Sequence, residues 1–184
     1  MGVTAGEQVA WADEMRVGLM GMVRRVWAPR GVKVRQRLQM AREWRYLNLA
    51  VDVQAGRLWW VWTDNMQGET LATVVAGWQR HTDLDAVVWD GASGHRSEVV
   101  QSIDFRLVIQ PPYAPELNPA ERVFQELRRV VEGKVYATLA EKIAAIDAEL
   151  WQWDADPTRV RHLVGWHWIT DTLTQLPSAH AKAA

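Results

Sequence analysis

The sequence predicts an α/β domain, a mixed sheet flanked by helices with a helical extension at its carboxyl end. Three observations predict it. Short, β-rich apolar segments occupy residues 7 to 64. Helix and strand patterns then alternate up to residue 110. From residue 119 onward the apolar positions follow helical spacing.

EQVAWADE, around 7 to 14, is a short apolar run that ends in two acids. MVRRVWA and WRYLNLAVDV read as strands, and RLWWVWTD follows the turn-forming QAG, so these four segments suggest an antiparallel meander. GETLATVVAGWQRH, 68 to 81, sets Leu71, Val74, Val75 and Trp78 on one helical face. DAVVWD at 85 to 90 and FRLVIQ at 105 to 110 read as buried strands with the short polar helix HRSEVVQS between them. A strand, a helix and a strand in so few residues make parallel neighbours. Val123, Phe124, Leu127, Val130 and Val131 define a later helix, and Leu139, Ile143, Ile146 and Leu150 another. A third begins after Pro157, with apolar positions Val160, Leu163, Val164 and Trp168. We expect a core over 1–136, an extension of the same domain over 137–176, and a frayed tail over 177–184.

The 184 residues are 48% hydrophobic and 23% charged, with a net charge of -1, which suits one soluble domain and excludes a disordered or collagen-like chain. Zero cysteines remove disulfides, thiolate zinc sites and thiol catalysis. A metal would therefore be held by oxygen or imidazole. The apolar run LWWVW is far shorter than the ~20 residues that span a bilayer. The amino terminus lacks the basic and apolar regions of a signal peptide, so neither a span nor a leader is expected. Charge is unevenly spread. Nine of the 21 Lys and Arg fall between Arg16 and Arg45, facing only Glu43, which makes a polyanion partner plausible.

The chemistry begins at Asp90, which closes an apolar strand before GASGH and so emerges where α/β sheets place their ligands. A turn role is the plain alternative for Asp before Gly. Glu121 follows Asn118 and Pro119 at the start of a helix, where it either joins a site or folds back in a capping box. Asp13 and Glu14 end the first strand, and alternation sends them to opposite faces. Spacing does not say which of the two faces Asp90. Asp52 is a competitor better explained by a hairpin turn. Three carboxylates without cysteine suit Mg²⁺ or Mn²⁺ and phosphoryl transfer.

VVWDGASGHRS followed by FRLVIQPPYAPELNPAERVFQELRR resembles the second and third catalytic blocks of mariner-type DDE transposases, in particular the bacterial insertion-sequence branch. WADEMRVGL with RRVWAPRGVK is similar to the first block, and VRHLVGWHWI to the carboxyl-terminal segment. The resemblance runs from about residue 8 to about residue 170. It implies an RNase H-like fold and a catalytic, metal-holding triad of Asp13, Asp90 and Glu121. It further implies two divalent ions, Mg²⁺ or Mn²⁺, about 4 Å apart and bridged by Asp90. A water would then attack the phosphodiester at the element's end, and the freed 3′ hydroxyl would attack target DNA, without a covalent protein intermediate.

The family's usual helix-turn-helix modules are missing before Asp13, so a catalytic half is expected, as a separate reading frame or a decayed copy. The partners implied are DNA, both transposon ends and target, an upstream DNA-binding part, and a second copy in a homodimer. The location implied is cytoplasmic, at the nucleoid. Gly91 stands where the family often has Asn after the catalytic Asp. We assign supporting roles to Glu14, His95, Tyr113 and Asn118: His95 touches a phosphate, caps its helix or bonds nearby backbone, and Tyr113 with its prolines rigidifies the loop that aims Glu121. Arg24, Arg25, Arg30, Lys33, Arg35 and Arg37 are expected to line the DNA track. The tryptophans are read as core or interface. Two rivals stand beside this reading: a general RNase H-like nuclease, and a non-catalytic remnant or domesticated module.

Overall fold

A computed structural model describes residues 5–21, 25, 27–111 and 114–175. Its sheet has five strands, β1 Val9–Gly18, β2 Trp44–Asp52, β3 Arg57–Thr63, β4 Ala86–Trp89 and β5 Arg106–Ile109, in the order β3-β2-β1-β4-β5. β1, β2 and β3 form antiparallel pairs, whereas β4 lies parallel to both β1 and β5. The helices are α1 Gly68–His81, α2 Glu98–Gln101, α3 Pro119–Val131, α4 Leu139–Asp154, α5 Pro157–Val164 and α6 His167–Thr174. This is the mixed, helix-flanked sheet that the pattern predicts.

Strand alternation divides the core into two layers. Val9, Trp11, Met15 and Val17 of β1, with Leu47, Leu49 and Val51 of β2, face Val123, Phe124 and Leu127 of α3 and Ile146 and Leu150 of α4. The small residues Ala10, Ala12 and Ala50 face the other way, toward Leu71, Val75 and Trp78 of α1, because that side is filled by bulky Trp78 and Trp89. Val160, Val164, Ile169 and Leu173 of α5 and α6 belong to the same layer as α3.

Local chemistry fixes the ends. Asn118 accepts from the amide of Ala120 and Pro119 takes the first helical position, which starts α3. Thr138 and Asp156 cap α4 and α5 in the same manner. Asp52 accepts the amides of Gln54 and Ala55 at 2.8 and 2.9 Å, which makes it the hairpin-turn residue expected. Gly56 follows with φ +69°, and a Cβ there would meet the backbone of Pro157. Trp60 and Trp62 both donate to one oxygen of Asp147, at 2.9 and 2.8 Å, tying β3 to α4.

Two expectations are corrected. The strand read at 22–28 is absent from its described part: Arg25 and residues 27–28 are irregular, and Trp27 is fully exposed. Strand-forming residues alone make no strand where no partner strand accepts their hydrogen bonds. The helix after Pro157 is two helices. The amide of Gly165 closes α5 on the carbonyl of Arg161 at 2.7 Å, the chain turns, and Trp168 is left largely exposed on α6. The tail expected at 177–184 lies outside the described residues. Among the described residues, no helix is long and apolar enough to cross a membrane.

Candidate active site

The parity of β1 sends Asp13 and Glu14 to opposite sides of the sheet. Asp13 shares the side of Val9, Trp11 and Met15, so its carboxylate turns toward α3. There Asn118 donates to Asp13 Oδ2 at 3.3 Å and to the carbonyl of Ala12 at 3.0 Å. Glu14 turns to the opposite side, where it is buried and its Oε2 lies 3.1 Å from His95 Nε2.

Asp90 stands just past β4, the parallel neighbour of β1, at the carboxyl end where open α/β sheets bind ligands. Its Oδ1 accepts from the amide of Ala92 at 3.0 Å and lies 2.6 Å from His95 Nδ1. His95 is fully buried and stacks on Trp89, with ring centroids 3.8 Å apart. It does not cap α2, whose cap position is Ser97. Instead it bonds the backbone oxygen of Asp90 at 3.0 Å, as one reading expected, and faces two carboxylates besides. At Gly91 a Cβ would meet the guanidinium of Arg96, so that group fills the space beside Asp90 that a larger residue would take.

Glu121 lies in the first turn of α3, half-exposed. The capping box is not formed: the amide of Asn118 donates to Pro115 O, and Glu121 Oε2 lies 3.7 Å from Arg128 Nη1. The carboxylate borders an open cleft of about 730 Å³ lined by Pro115, Arg122, Arg128, His162 and Trp166 among others.

The electrostatics couple these groups. Burial lifts the Asp13 carboxyl to about 7, helped by the negative charges of Glu14, Glu121 and Asp90 and opposed by a hydrogen bond from the amide of Glu14. Asp90 is held below the usual carboxylate range, first by its hydrogen bond with His95 and also by the Ala92 amide and the charges of His95 and Arg96, against some burial. Burial opposes the charge on His95, yet its bonds to Asp90 and Glu14 raise it to about 10. Asp13 thus sits in a pocket short of positive charge. Among the described residues, no three acidic or imidazole side chains stand close enough to hold an ion as they are. The donor chemistry nevertheless fits a hard divalent cation: Asp13, Asp90 and Glu121 offer oxygen only, and a cation would favour the charged form of Asp13 that burial and its acidic neighbours disfavour.

Residues 8–142 match the family model described as DDE superfamily endonuclease. The chain belongs to that family. No curated protein sequence matches it. Among solved structures, this DDE chain is similar to a Mos1 transposase paired-end complex with left transposon end (TM-score 0.66, 10% identity, covering 86% of this chain and 52% of that one). It is similar also to the Mos1 Strand Transfer Complex (0.66, 12%, 91% and 53%) and to the Mos1 mariner paired-end complex with Mn (0.62, 9%, 89% and 55%). At such identities the likeness concerns the fold, which is that of the transposase catalytic domain. The chain spans about half the length of these relatives.

Of the remaining residues picked from the sequence, Arg25, Arg30, Lys33, Arg35 and Arg37 are all exposed on the connection between β1 and β2. Bonds from Leu19 to Glu43 and from Gly21 to Gln39 close its base. Arg24 and Tyr113 lie outside the described residues. Sequence reasoning did not find the link between Glu14 and His95, 81 positions apart, nor that between Asn118 and Asp13. The one available signal was size: the bulky set Val9, Trp11 and Met15 marks the thick helical layer, and Asp13 shares its parity.

Proposed function

We propose that this chain is the catalytic part of a mariner-type transposase of the insertion-sequence branch. It would cut DNA phosphodiesters at the ends of a mobile element and join the freed 3′ end to target DNA, with Asp13, Asp90 and Glu121 as the triad. The observation that supports the reading is that Asn118, the cap of the helix that carries Glu121, bonds Asp13 on β1, while Asp90 ends the parallel neighbour strand β4, close enough for the charges of Asp90 and Glu121 to act on Asp13. Divalent ions, when bound there, supply the Lewis acidity that makes a water nucleophilic and offsets charge on a departing 3′ oxygen.

The protein's own part is to place oxygen donors. Asp13 yields its proton near pH 7 as positive charge arrives, and Asp90 is ionised throughout the neutral range. Glu121 must leave Arg128 to join them. The cleft at Glu121 supports a strand path, because Arg128 also borders a second cleft with Arg16, Arg42, Lys134 and Lys142. Phosphate contacts from such groups give affinity without sequence preference. Recognition of element ends falls to a separate upstream part, and two copies would act on paired ends.

One observation favours an inert module instead, namely that Glu121 rests toward Arg128 rather than toward Asp13. Calorimetric titration with Mn²⁺ decides between them. Uptake lost in Asp90→Asn is expected, and its absence from the unaltered chain supports the remnant. With an upstream DNA-binding part supplied, Asp90→Asn should cut DNA slower by orders of magnitude, and undiminished cutting refutes the triad. Cutting without joining to target DNA would leave a general nuclease.

A further inference from the structure

We infer that Glu14 and His95 form a buried brace that pins Asp90 through Oδ1, leaving Oδ2 as the oxygen with which that residue meets its ligand. The inference rests on the reading of Asp90 as an ion-holding residue and goes beyond it, by assigning which atom is used and what holds it there.

The argument is an accounting of hydrogen bonds. A carboxylate oxygen has two lone pairs. Asp90 Oδ1 accepts from the Ala92 amide at 3.0 Å and lies 2.6 Å from His95 Nδ1, the same nitrogen that bonds the backbone oxygen of Asp90 at 3.0 Å. The ring is fixed in turn at its far nitrogen, which donates to Glu14 Oε2 at 3.1 Å, and Glu14 shows only 1% of its side chain to solvent. Trp89 lies flat against the ring at 3.8 Å, so the imidazole is not free to swing away. Each ring nitrogen faces an acceptor, and the ring can serve both only as a donor at both ends.

The brace runs on the side of the sheet opposite Asp13. Asp13 and Glu14, neighbours on β1, therefore have separate tasks: one turns into the pocket, and the other reaches behind Asp90 and holds it. This is the arrangement by which outer residues orient the groups that ligate an ion, and loss of such a partner commonly weakens affinity about 10–100-fold. A buried histidine that merely fills the core would show the packing without the two carboxylate contacts.

The test uses Mn²⁺ affinity by calorimetry on the full chain, with thermal unfolding of the same samples. His95→Asn keeps a donor near the position of Nδ1 and loses the Glu14 link. His95→Gln keeps a donor near Nε2 and loses the Asp90 link. The brace predicts that both lower the melting temperature similarly, whereas only His95→Gln weakens Mn²⁺ by about tenfold or more. Equal and unaltered affinities in the two variants would overturn it. If His95→Gln does not fold, Glu14→Gln decides, since it keeps the shape but removes the charge: several-fold weaker Mn²⁺ supports the brace, and unchanged affinity overturns it. If the unaltered chain takes up no Mn²⁺, the reading of the triad falls first and the brace with it. Normal uptake lost in Asp90→Asn but indifferent to both histidine variants sinks the brace alone.

Discussion

Asn118 joins the start of α3 to the middle of the sheet, its amide nitrogen 3.3 Å from the carboxylate of Asp13 while its oxygen caps the helix. Glu121 lies three residues further along that helix. One side chain thus sets the distance between the strand that carries Asp13 and the helix that carries Glu121.

Asn118→Ala should lower stability by about 1–2 kcal/mol, since it deletes a cap and leaves the Ala12 carbonyl without its donor. Urea unfolding measures this. Asn118→Asp keeps the cap oxygen but adds a negative charge beside Asp13, so it should retain more stability yet raise the Asp13 pKa further.

The acid pair also predicts a pH profile for the chain free of divalent ions. Asp13 holds its proton to about 7 when folded but titrates near 3.8 in the unfolded chain, so it contributes stability in full below about pH 4. That contribution declines as pH rises and is gone above about pH 7. His95, raised to about 10, acts in the same sense over 6.5 to 10, while the lowered Asp90 acts in the opposite sense at the acid end. Melting temperatures in EDTA, compared with those of Asp13→Asn, isolate the Asp13 share: the difference between the two chains should change between pH 4 and 7 and level off above.

Gly56 and Gly133 separate two costs of a left-handed backbone. Both have positive φ, +69° and +82°, but a Cβ at Gly56 meets the main chain of Pro157 whereas one at Gly133 meets open space. Gly133→Ala should therefore cost about 1–2 kcal/mol, the conformational part alone. Gly56→Ala should cost clearly more and loosen α5, seen as a larger fall in unfolding midpoint.

Asp147→Ala strands two indole N–H groups at once. With about 1–3 kcal/mol for each buried donor left unmade, and both tryptophans only partly buried, a loss of roughly 2–3 kcal/mol is expected. Asp147→Asn keeps an acceptor and should recover much of it.

For the exposed connection between β1 and β2, replacing Arg25, Arg30, Arg35 and Arg37 by Ser should weaken duplex DNA binding and reduce the slope of log affinity against log salt by about 3.6, if each arginine meets a phosphate. An unchanged slope in a fluorescence-anisotropy titration removes this loop from the DNA track.

Much of the architecture was legible because it depends on neighbours in the chain. α1 came out at its observed bounds, 68–81, since Leu71, Val75 and Trp78 mark one stripe. The block around Asn118 and Glu121 announced a helix start through its cap and its proline. What was not legible depends on partners remote in the chain. The run at 22–28 holds strand-forming residues, but composition is silent about whether another strand lies alongside. Which side of the sheet Asp13 and Glu14 each face is fixed by the layer that each side of β1 packs against. His95 was visible as a candidate, yet its role required Glu14, which only the fold brings near.

The place of β1 in the sheet has a consequence for how the pocket would fail. β1 is paired with β2 over Ala10–Gly18, Asp13 opposite Leu49, and with β4 over Val9–Trp11, whereas Asp90 sits in the loop after β4 and Glu121 in the first turn of α3. Backbone amides around Asp13 should exchange with deuterium only through near-global opening, and those around Asp90 and Glu121 through cheaper local excursions. Mild denaturant would then displace Asp90 and Glu121 while Asp13 stays in register, so the ion uptake proposed for the three would vanish before the sheet melts.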